Sequence, residues 1–137
     1  MRTVLVVDDD PWVRVLARDS LAEDGYRTLE ASDGLAAALV AVEHPGPIHL
    51  LLTDVLMPGM SGCELARTLA GWRHGIKVMF MSAYDRDFLV ARGINPAGPV
   101  ITKPFTTDYL VRRVGMLLSG DRAPLPARPI LGRPILD

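Results

Sequence analysis

VLVVDDDP, residues 4–11, places four apolar residues suited to a buried strand directly before three aspartates and a proline. Two carboxylates about 5 Å apart repel each other by roughly 3 kcal/mol at an effective dielectric constant near 20. Asp8, Asp9 and Asp10 therefore either lie in water or meet something that offsets their charge. The answer depends on what the rest of the chain brings to the same place.

The composition is that of one globular domain. The chain has 137 residues, of which 49% are hydrophobic and 23% charged, enough for a full core. Its formal net charge of −1 gives no basic excess to attract nucleic acid or an anionic membrane. A single cysteine, Cys63, excludes a disulfide framework and a cysteine-rich zinc site. Because neither a signal peptide nor a long apolar run is evident, we expect a soluble cytoplasmic protein that does not associate with membranes.

Strand patterns alternate with helical patterns from residue 3 to residue 118. The predicted strands are Thr3–Val7, Tyr26–Glu30, Ile48–Thr53, Lys77–Met81 and Pro99–Ile101. The predicted helices are Pro11–Glu23, Gly34–Glu43, Gly62–Ala70, Arg86–Arg92 and Thr107–Leu118, and their N-caps include Asp10, Ser61 and Thr106. This alternation indicates an α/β fold with a doubly wound parallel sheet.

Polar residues suited to phosphoryl chemistry follow four of these strands. Asp8 and Asp9 follow the first strand, Asp54 the third, Ser82 the fourth and Lys103 the fifth. Because ligands of doubly wound sheets bind beyond the carboxyl ends of the strands, we expect these side chains to converge. Clustered carboxylates without histidine or cysteine suit Mg²⁺, which would also offset their repulsion. An aspartate beside such a metal can act as a nucleophile toward a phosphoryl group.

Four segments carry a resemblance to a known family. VLVVDDDP, LLTDVLMPGMSG, VMFMSAY and VITKPF, in this order and at these separations, resemble the receiver domain of two-component response regulators. The resemblance implies a flavodoxin-like five-stranded sheet of order 2-1-3-4-5 with five helices. It also implies a phosphoacceptor in a phosphorelay that takes its phosphoryl group from a phosphohistidine and then changes its partner surface. Such a domain is not an enzyme beyond promoting its own phosphorylation and slow autodephosphorylation.

The resemblance also assigns the metal ligands. Asp54 would be the phosphoacceptor and would bind Mg²⁺ together with Asp9 and the backbone carbonyl of Leu56. Asp8 would act on the metal mainly through water. Asp10 is interpreted separately, as the N-cap of the first helix.

Two further residues would contact the phosphoryl group. Lys103 would pair with its oxygens, and Ser82 would move to donate a hydrogen bond to it. The Lys103–Pro104 peptide bond is expected to be cis, which a proline permits.

The implied partner is a sensor histidine kinase or a histidine phosphotransfer protein. GPIHLLLTDVLMPGMSGCELA, KVMFMSAYDRD and PVITKPFTTDYLVRRV resemble receivers attached to hybrid sensor histidine kinases more than receivers joined to DNA-binding domains. We expect no direct DNA binding, since the 19 residues after Leu118 are too few for a helix-turn-helix. A homodimer through the face of the fourth helix, fifth strand and fifth helix is a further expectation.

Three positions depart from the family pattern. Many receivers carry an aromatic residue three positions before the lysine, whereas this chain has Val100, so a switch would rely on Ser82 and on loop rearrangement. Leu56 and Tyr84 are bulky and would lie near the path of an attacking water. They predict slow self-dephosphorylation.

The receiver is predicted to span residues 1–118, followed by a Pro-rich extended tail or linker at 119–137. This tail holds four of the eleven prolines and repeats RPIL at 128–131 and 133–136. A flexible terminus, a docking peptide and an arm that packs on its own or a neighbouring domain remain open.

Three other functions were weighed against the receiver. A phosphatase of the haloacid dehalogenase type would need an acid two residues after Asp54, where Leu56 stands. In a flavodoxin-like cofactor binder, three carboxylates after the first strand would repel the phosphate. A pseudo-receiver that acts as a protein-interaction module without phosphorylation is the remaining alternative.

Overall fold

Buried strands and helices alternate throughout residues 1–119, the part of the chain that the computed structural model describes. The strands are β1 (Thr3–Val7), β2 (Arg27–Ala31), β3 (Leu50–Asp54), β4 (Lys77–Ser82) and β5 (Val100–Thr102). The helices are α1 (Pro11–Glu23), α2 (Gly34–Glu43), α3 (Gly62–Trp72), α4 (Arg86–Ala91) and α5 (Thr107–Ser119).

The strands form one parallel sheet of order β2-β1-β3-β4-β5, as predicted. β1 pairs with β2 on one side and with β3 on the other, and every residue of β1 and β3 is buried. Strands that are apolar on both faces occupy the centre of a sheet covered by helices on both sides. The expected flavodoxin-like topology is therefore confirmed.

Alternate residues of the central strands face two separate cores. Val4 and Val6 belong to the cluster under α1 and α5, whereas Leu5 and Val7 belong to the cluster under α2 and α3. This two-sided burial follows from the period of two in a strand. Burying one such side chain contributes about 1.5–3 kcal/mol, so β1 stabilises both layers at once.

The predicted N-caps are present. Asp10 Oδ1 accepts a hydrogen bond from the Trp12 N–H at 2.9 Å, and Thr106 Oγ1 accepts one from the Tyr109 N–H at 3.1 Å. At α3, Ser61 and Glu64 form a reciprocal capping box. These caps begin the helices at the residues that the sequence predicts.

Several element bounds differ from the predictions by one or two residues. β2 begins at Arg27, because the Tyr26 N–H donates to Leu21 O in the turn that closes α1. β3 begins at Leu50, because the Thr3 N–H donates to the His49 imidazole. β3 and β4 each run one residue further than predicted, and β5 lies one residue later. α3 ends two residues later and α5 one later, while α4 ends one residue earlier.

The predicted Pro-rich tail lies outside the described residues from residue 120 onward. Within residues 1–119, no helix combines the length and the apolar character that a membrane crossing requires.

Candidate functional site

Asp54 is the last residue of β3 and is 9% exposed. Its Oδ1 accepts a hydrogen bond from the Val55 N–H at 2.8 Å, which fixes the carboxylate at the strand end. The preceding Thr53 donates its hydroxyl to Asp54 O at 2.9 Å. The predicted phosphoacceptor is therefore held at the carboxyl edge of the sheet, although it ends the strand rather than following it.

Lys103 connects two of the predicted acids. Its Nζ lies 2.8 Å from Asp8 Oδ2 and 3.4 Å from Asp54 Oδ2. Asp8 is fully buried, and its other oxygen accepts the Asp10 N–H at 2.9 Å. The ammonium group thus offsets part of the repulsion between two carboxylates that the fold brings together from β1 and β3.

Asp9, the residue after Asp8, is exposed. Ligand atoms of Asp8, Asp9 and Asp54 nevertheless lie within 4.8 Å of one another. Three carboxylates with no nitrogen or sulfur donor among them form a hard-oxygen set of the kind that Mg²⁺ prefers. The residues present therefore fit the predicted metal.

The electrostatics of the cluster favour a cation. Burial, with a further contribution from the charge of Asp8, raises the pKa of Asp54 to about 6. Burial alone would lower the pKa of Lys103, but its hydrogen bond to Asp8 and the charges of both acids outweigh burial and raise it. Lys103 is thus held as a cation, while the charged form of Asp54 is disfavoured until a further positive charge arrives.

Ser82 ends β4 beside this cluster and is 1% exposed. Its Oγ accepts the Tyr84 N–H at 3.0 Å, and its carbonyl accepts the Lys103 N–H at 2.8 Å. Among residues 1–119 no acceptor takes its hydroxyl proton, which leaves that proton available for donation. The Lys103–Pro104 peptide bond is cis, as expected.

The residues that depart from the family pattern lie around the site. Leu56 is 36% exposed just beyond Asp54, and the Tyr84 ring stacks on Phe88 with centroids 4.2 Å apart. Val100 is buried in a cluster with Leu89 and other apolar residues beneath α4. No aromatic ring occupies the β5 position where many receivers have one.

Sequence reasoning gave no role to two residues that shape the site. A Cβ on Gly62, the first residue of α3, would overlap the carbonyl oxygen of Asp54, so α3 begins directly against the strand end. Arg14 donates to Asp8 O at 2.7 Å and pairs with Glu30 at 3.2 Å. Gly62 is the last residue of the segment MPGMSG, so its position in this segment could have indicated its role. Nothing in the local sequence distinguishes Arg14.

These site residues lie in a part of the chain that the model of a known protein family matches. The model of the response regulator receiver domain aligns with residues 4–115. The chain belongs to the response regulator receiver domain family.

Curated relatives of this receiver fall into two kinds. The transcriptional regulatory protein KdpE of Mycobacterium tuberculosis is 32% identical over 114 residues, covering 83% of this chain and 50% of KdpE. The sensor kinase CckA of Brucella abortus is 34% identical over 119 residues, covering 85% of this chain and 12% of CckA. The chain thus spans about half the length of the first regulators it matches and a small part of the kinase.

Solved receivers have the same fold. The crystal structure of the receiver domain of the hybrid histidine kinase CckA is 35% identical, covers 85% of this chain and 98% of its own, and superposes with a TM-score of 0.71. The response regulator TrrA of Thermotoga maritima, solved in complex with Mg²⁺ and BeF, is 32% identical with a TM-score of 0.71, covering 86% of this chain and 100% of its own. The predicted resemblance to hybrid-kinase receivers is confirmed, and the KdpE match shows that a transcriptional regulator has comparable identity.

Proposed function

We propose that this receiver accepts a phosphoryl group onto Asp54 from a phosphohistidine of a sensor histidine kinase or a histidine phosphotransfer protein. The observation that carries the proposal is the position of Lys103, 2.8 Å from Asp8 and 3.4 Å from Asp54, at the carboxyl edge of the sheet. In the transfer, the histidine N–P bond breaks and an Asp54 O–P bond forms. The electron pair of the broken bond remains on the histidine nitrogen, so no oxidant or further reactant is needed.

Mg²⁺ is the cofactor in this proposal. Asp9, Asp54 and the Leu56 carbonyl would bind it directly and Asp8 through water; ligand atoms of the three acids lie within 4.8 Å of one another. When bound, the ion supplies positive charge that offsets the carboxylates and the incoming phosphoryl oxygens. The solved TrrA complex with Mg²⁺ and BeF supports the same chemistry for a relative.

The protein side chains divide the remaining work. Lys103 is cationic and is held by Asp8. Its ammonium group would exchange its contact with the Asp54 carboxylate for a contact with the phosphoryl oxygens. Ser82 keeps a free hydroxyl proton and would donate it to the phosphoryl group after a small movement of the β4–α4 turn. With Val100 in place of an aromatic residue, this movement and that of the loops would change the partner surface.

Intact-mass measurement after incubation with Mg²⁺ and acetyl phosphate tests the proposal. The chain should gain one phosphoryl group, whereas Asp54→Ala should gain none and Asp108→Ala, on the exposed first turn of α5, should behave like the wild type. A wild-type chain that stays unmodified by acetyl phosphate and by histidine kinases would contradict it.

The partner surface belongs to the same proposal. We propose a cytoplasmic protein that binds its kinase directly, does not bind DNA itself, and forms a homodimer through the α4–β5–α5 face when phosphorylated. Receiver domains are generally not enzymes acting on other substrates, and slow autodephosphorylation is the only turnover proposed. Light scattering before and after phosphorylation tests the dimer.

A second candidate is a pseudo-receiver that binds partners without phosphorylation. Two observations favour it: Val100 replaces the usual aromatic residue, and α4 has only six residues, Arg86–Ala91. Equal partner affinity of the wild type and Asp54→Ala under phosphorylating conditions would decide for this candidate.

A further inference from the structure

The outer face of α2 carries an apolar stripe that no described residue covers. Leu35, Leu39 and Val42 leave 66%, 56% and 63% of their surface exposed. Spacings of four and three residues put them on one side of the helix. Glu43, an exposed acid four residues after Leu39, ends this line; these four residues are called the α2 stripe below.

Single exposed apolar side chains are ordinary, but α2 is apolar around its whole circumference. Its inner face packs Ala37, Ala38 and Ala41 against the sheet, and its sequence, GLAAALVAVE, holds one charged residue. A helix with apolar residues on all sides is normally buried on all sides. The α2 stripe is therefore a surface that calls for a cover.

The sequence beyond residue 119 contains a chemically complementary segment. RPIL occurs at 128–131 and again at 133–136, so each copy joins one guanidinium to two adjacent apolar side chains. In extended chain at about 3.1 Å per residue, the two copies are offset by roughly 15 Å. The α2 stripe is about 12 Å long at 1.5 Å per residue, so the pair of repeats matches its length.

The chain can reach this surface. α5 ends at Ser119 on the amino-terminal edge of the sheet, where the Arg2 guanidinium donates to Leu118 O at 3.0 Å. α2 ends at the same edge, since all helices run antiparallel to the strands. To pass from α5 to the outer face of α2, the chain must go around two helix layers and the sheet, each about 10 Å thick, which requires roughly 30 Å. The eleven residues from Ser119 to Ile130 span about 34 Å when extended.

We propose that residues 128–136 dock in cis on the α2 stripe. Ile and Leu side chains of the two repeats cover Leu35, Leu39 and Val42, and one of the repeat arginines pairs with Glu43 at the C-terminal end of the helix. The helix dipole favours a cation at that end. Because a short tether holds the segment at an effective concentration in the millimolar range, even weak docking is populated.

Methyl NMR of the complete 137-residue chain tests the proposal. Two of the six isoleucines, Ile130 and Ile135, lie in the segment, so their methyl signals can be assigned by substitution. Docking predicts nuclear Overhauser contacts from these methyls to Leu39 and Val42 that do not change on dilution. Leu39→Ser should remove most of this intensity, whereas Val90→Ser, at an equally exposed position on α4, should leave it unchanged.

Glu43→Lys should weaken the same contacts and Glu43→Gln should weaken them less, because only the first reverses the charge facing the arginines. The absence of contacts between the segment and α2 would overturn the proposal. So would contacts that vanish on dilution and appear between differently labelled chains, which would assign the α2 stripe to a second copy. Signals of the buried β1 methyls check that each variant stays folded.

Discussion

Asp54 and Asp8 share one partly buried cation, Lys103. Lys103 contacts both, but it lies 0.6 Å closer to Asp8, as the distances of 2.8 and 3.4 Å show. Asp8 therefore takes the stronger hydrogen bond, and Asp54 is left with burial and an adjacent negative charge. The proposed phosphoacceptor is thus the acid with the weaker contact to the lysine.

This imbalance predicts a pH-dependent cost to stability in the absence of metal. The pKa of Asp54 is about 6 in the folded chain and 3.8 in its ordinary state, so the folded chain binds more protons between these values. Stability attributable to Asp54 therefore falls as the pH rises from about 4 to 6 and stays low above that. Asp54→Asn should raise the free energy of unfolding in EDTA at pH 7.5 on the order of 2 kcal/mol, and this gain should close toward pH 4.

Urea denaturation at the two pH values measures this difference. Asp87→Asn, an exposed acid in the first turn of α4, is the control and should change stability little at either pH. An equal gain for Asp54→Asn at both pH values would show that charge is not the cause.

A separate prediction concerns Leu56 and the loss of the proposed phosphoryl group to water. Its half-exposed side chain stands two residues after Asp54 and offers no polar atom to orient an attacking water. Leu56→Asn supplies such an atom and should speed autodephosphorylation by roughly tenfold, equivalent to about 1.4 kcal/mol of barrier. Decay of the phosphorylated mass after removal of phosphodonor measures the rate, and Val90→Asn should leave it unaltered. A wild-type half-life of seconds that Leu56→Asn does not shorten would refute the role of Leu56.

At the scale of elements, all helix starts were predicted, whereas the starts of β2, β3 and β5 were not. The starts of α1 and α3 can be recognised in the local sequence, because Asp10 and Ser61 are residues whose side chains cap helices. The starts of β2 and β3 depend instead on which partner takes the Tyr26 and Thr3 N–H groups, a carbonyl of α1 and the ring of His49. Those partners are 5 and 46 residues away, and the second choice is invisible to local patterns.

Two glycines of α3 give a matched test of how tightly this helix meets the site. A Cβ on Gly62 would overlap Asp54 O, whereas one on Gly71 would meet nothing within 4 Å. Gly62→Ala should therefore lower the free energy of unfolding by about 1–3 kcal/mol through overpacking. Gly71→Ala should raise it by about 0.5–1 kcal/mol, because alanine is the better helix former.

The two variants should also differ in function. Gly62→Ala displaces the strand end that carries Asp54 and should slow phosphorylation by acetyl phosphate, while Gly71→Ala should leave the rate intact. Thermal denaturation and intact-mass time courses follow both effects. Equal stability and equal phosphorylation rates of the two variants would mean that the first turn of α3 can shift to accept a Cβ and does not position Asp54.

At the scale of the whole molecule, the site could be predicted because a parallel sheet collects strand ends at one edge. The order of the strands and their parallel direction were enough to predict that four polar residues lie at this edge: Asp8, Asp54, Ser82 and Lys103. Which acid contacts the lysine could not be predicted, because it depends on side-chain packing: Asp8 is buried against Lys103, while Asp9 is exposed. The roles of Gly62 and Arg14 could not be predicted either. Both residues contact backbone carbonyls of the site, and residue type alone does not indicate such contacts.

Metal binding should change the thermal stability of the whole domain. In the proposed function Mg²⁺ would offset the charge of Asp8 and Asp54, so it should raise the melting temperature, and excess EDTA should lower it again. Trp12, 78% exposed on the first turn of α1 close to Asp9, should change fluorescence on titration in a Trp72→Phe background. Trp12→Phe, which leaves only Trp72 at the far end of α3, should abolish that change. A titration that alters neither fluorescence nor melting temperature would contradict the metal site.

The bond between Lys103 and Asp8 joins residues 95 positions apart. Asp8 is synthesised before β2, whereas Lys103 is synthesised only after all five strands. Until then the acids of β1 and β3 lack the cation that lies between them. On a nascent or prematurely terminated chain, the proposed phosphoacceptor Asp54 would therefore lack Lys103. The proposed phosphorylation would thereby be restricted to molecules whose synthesis has passed β5.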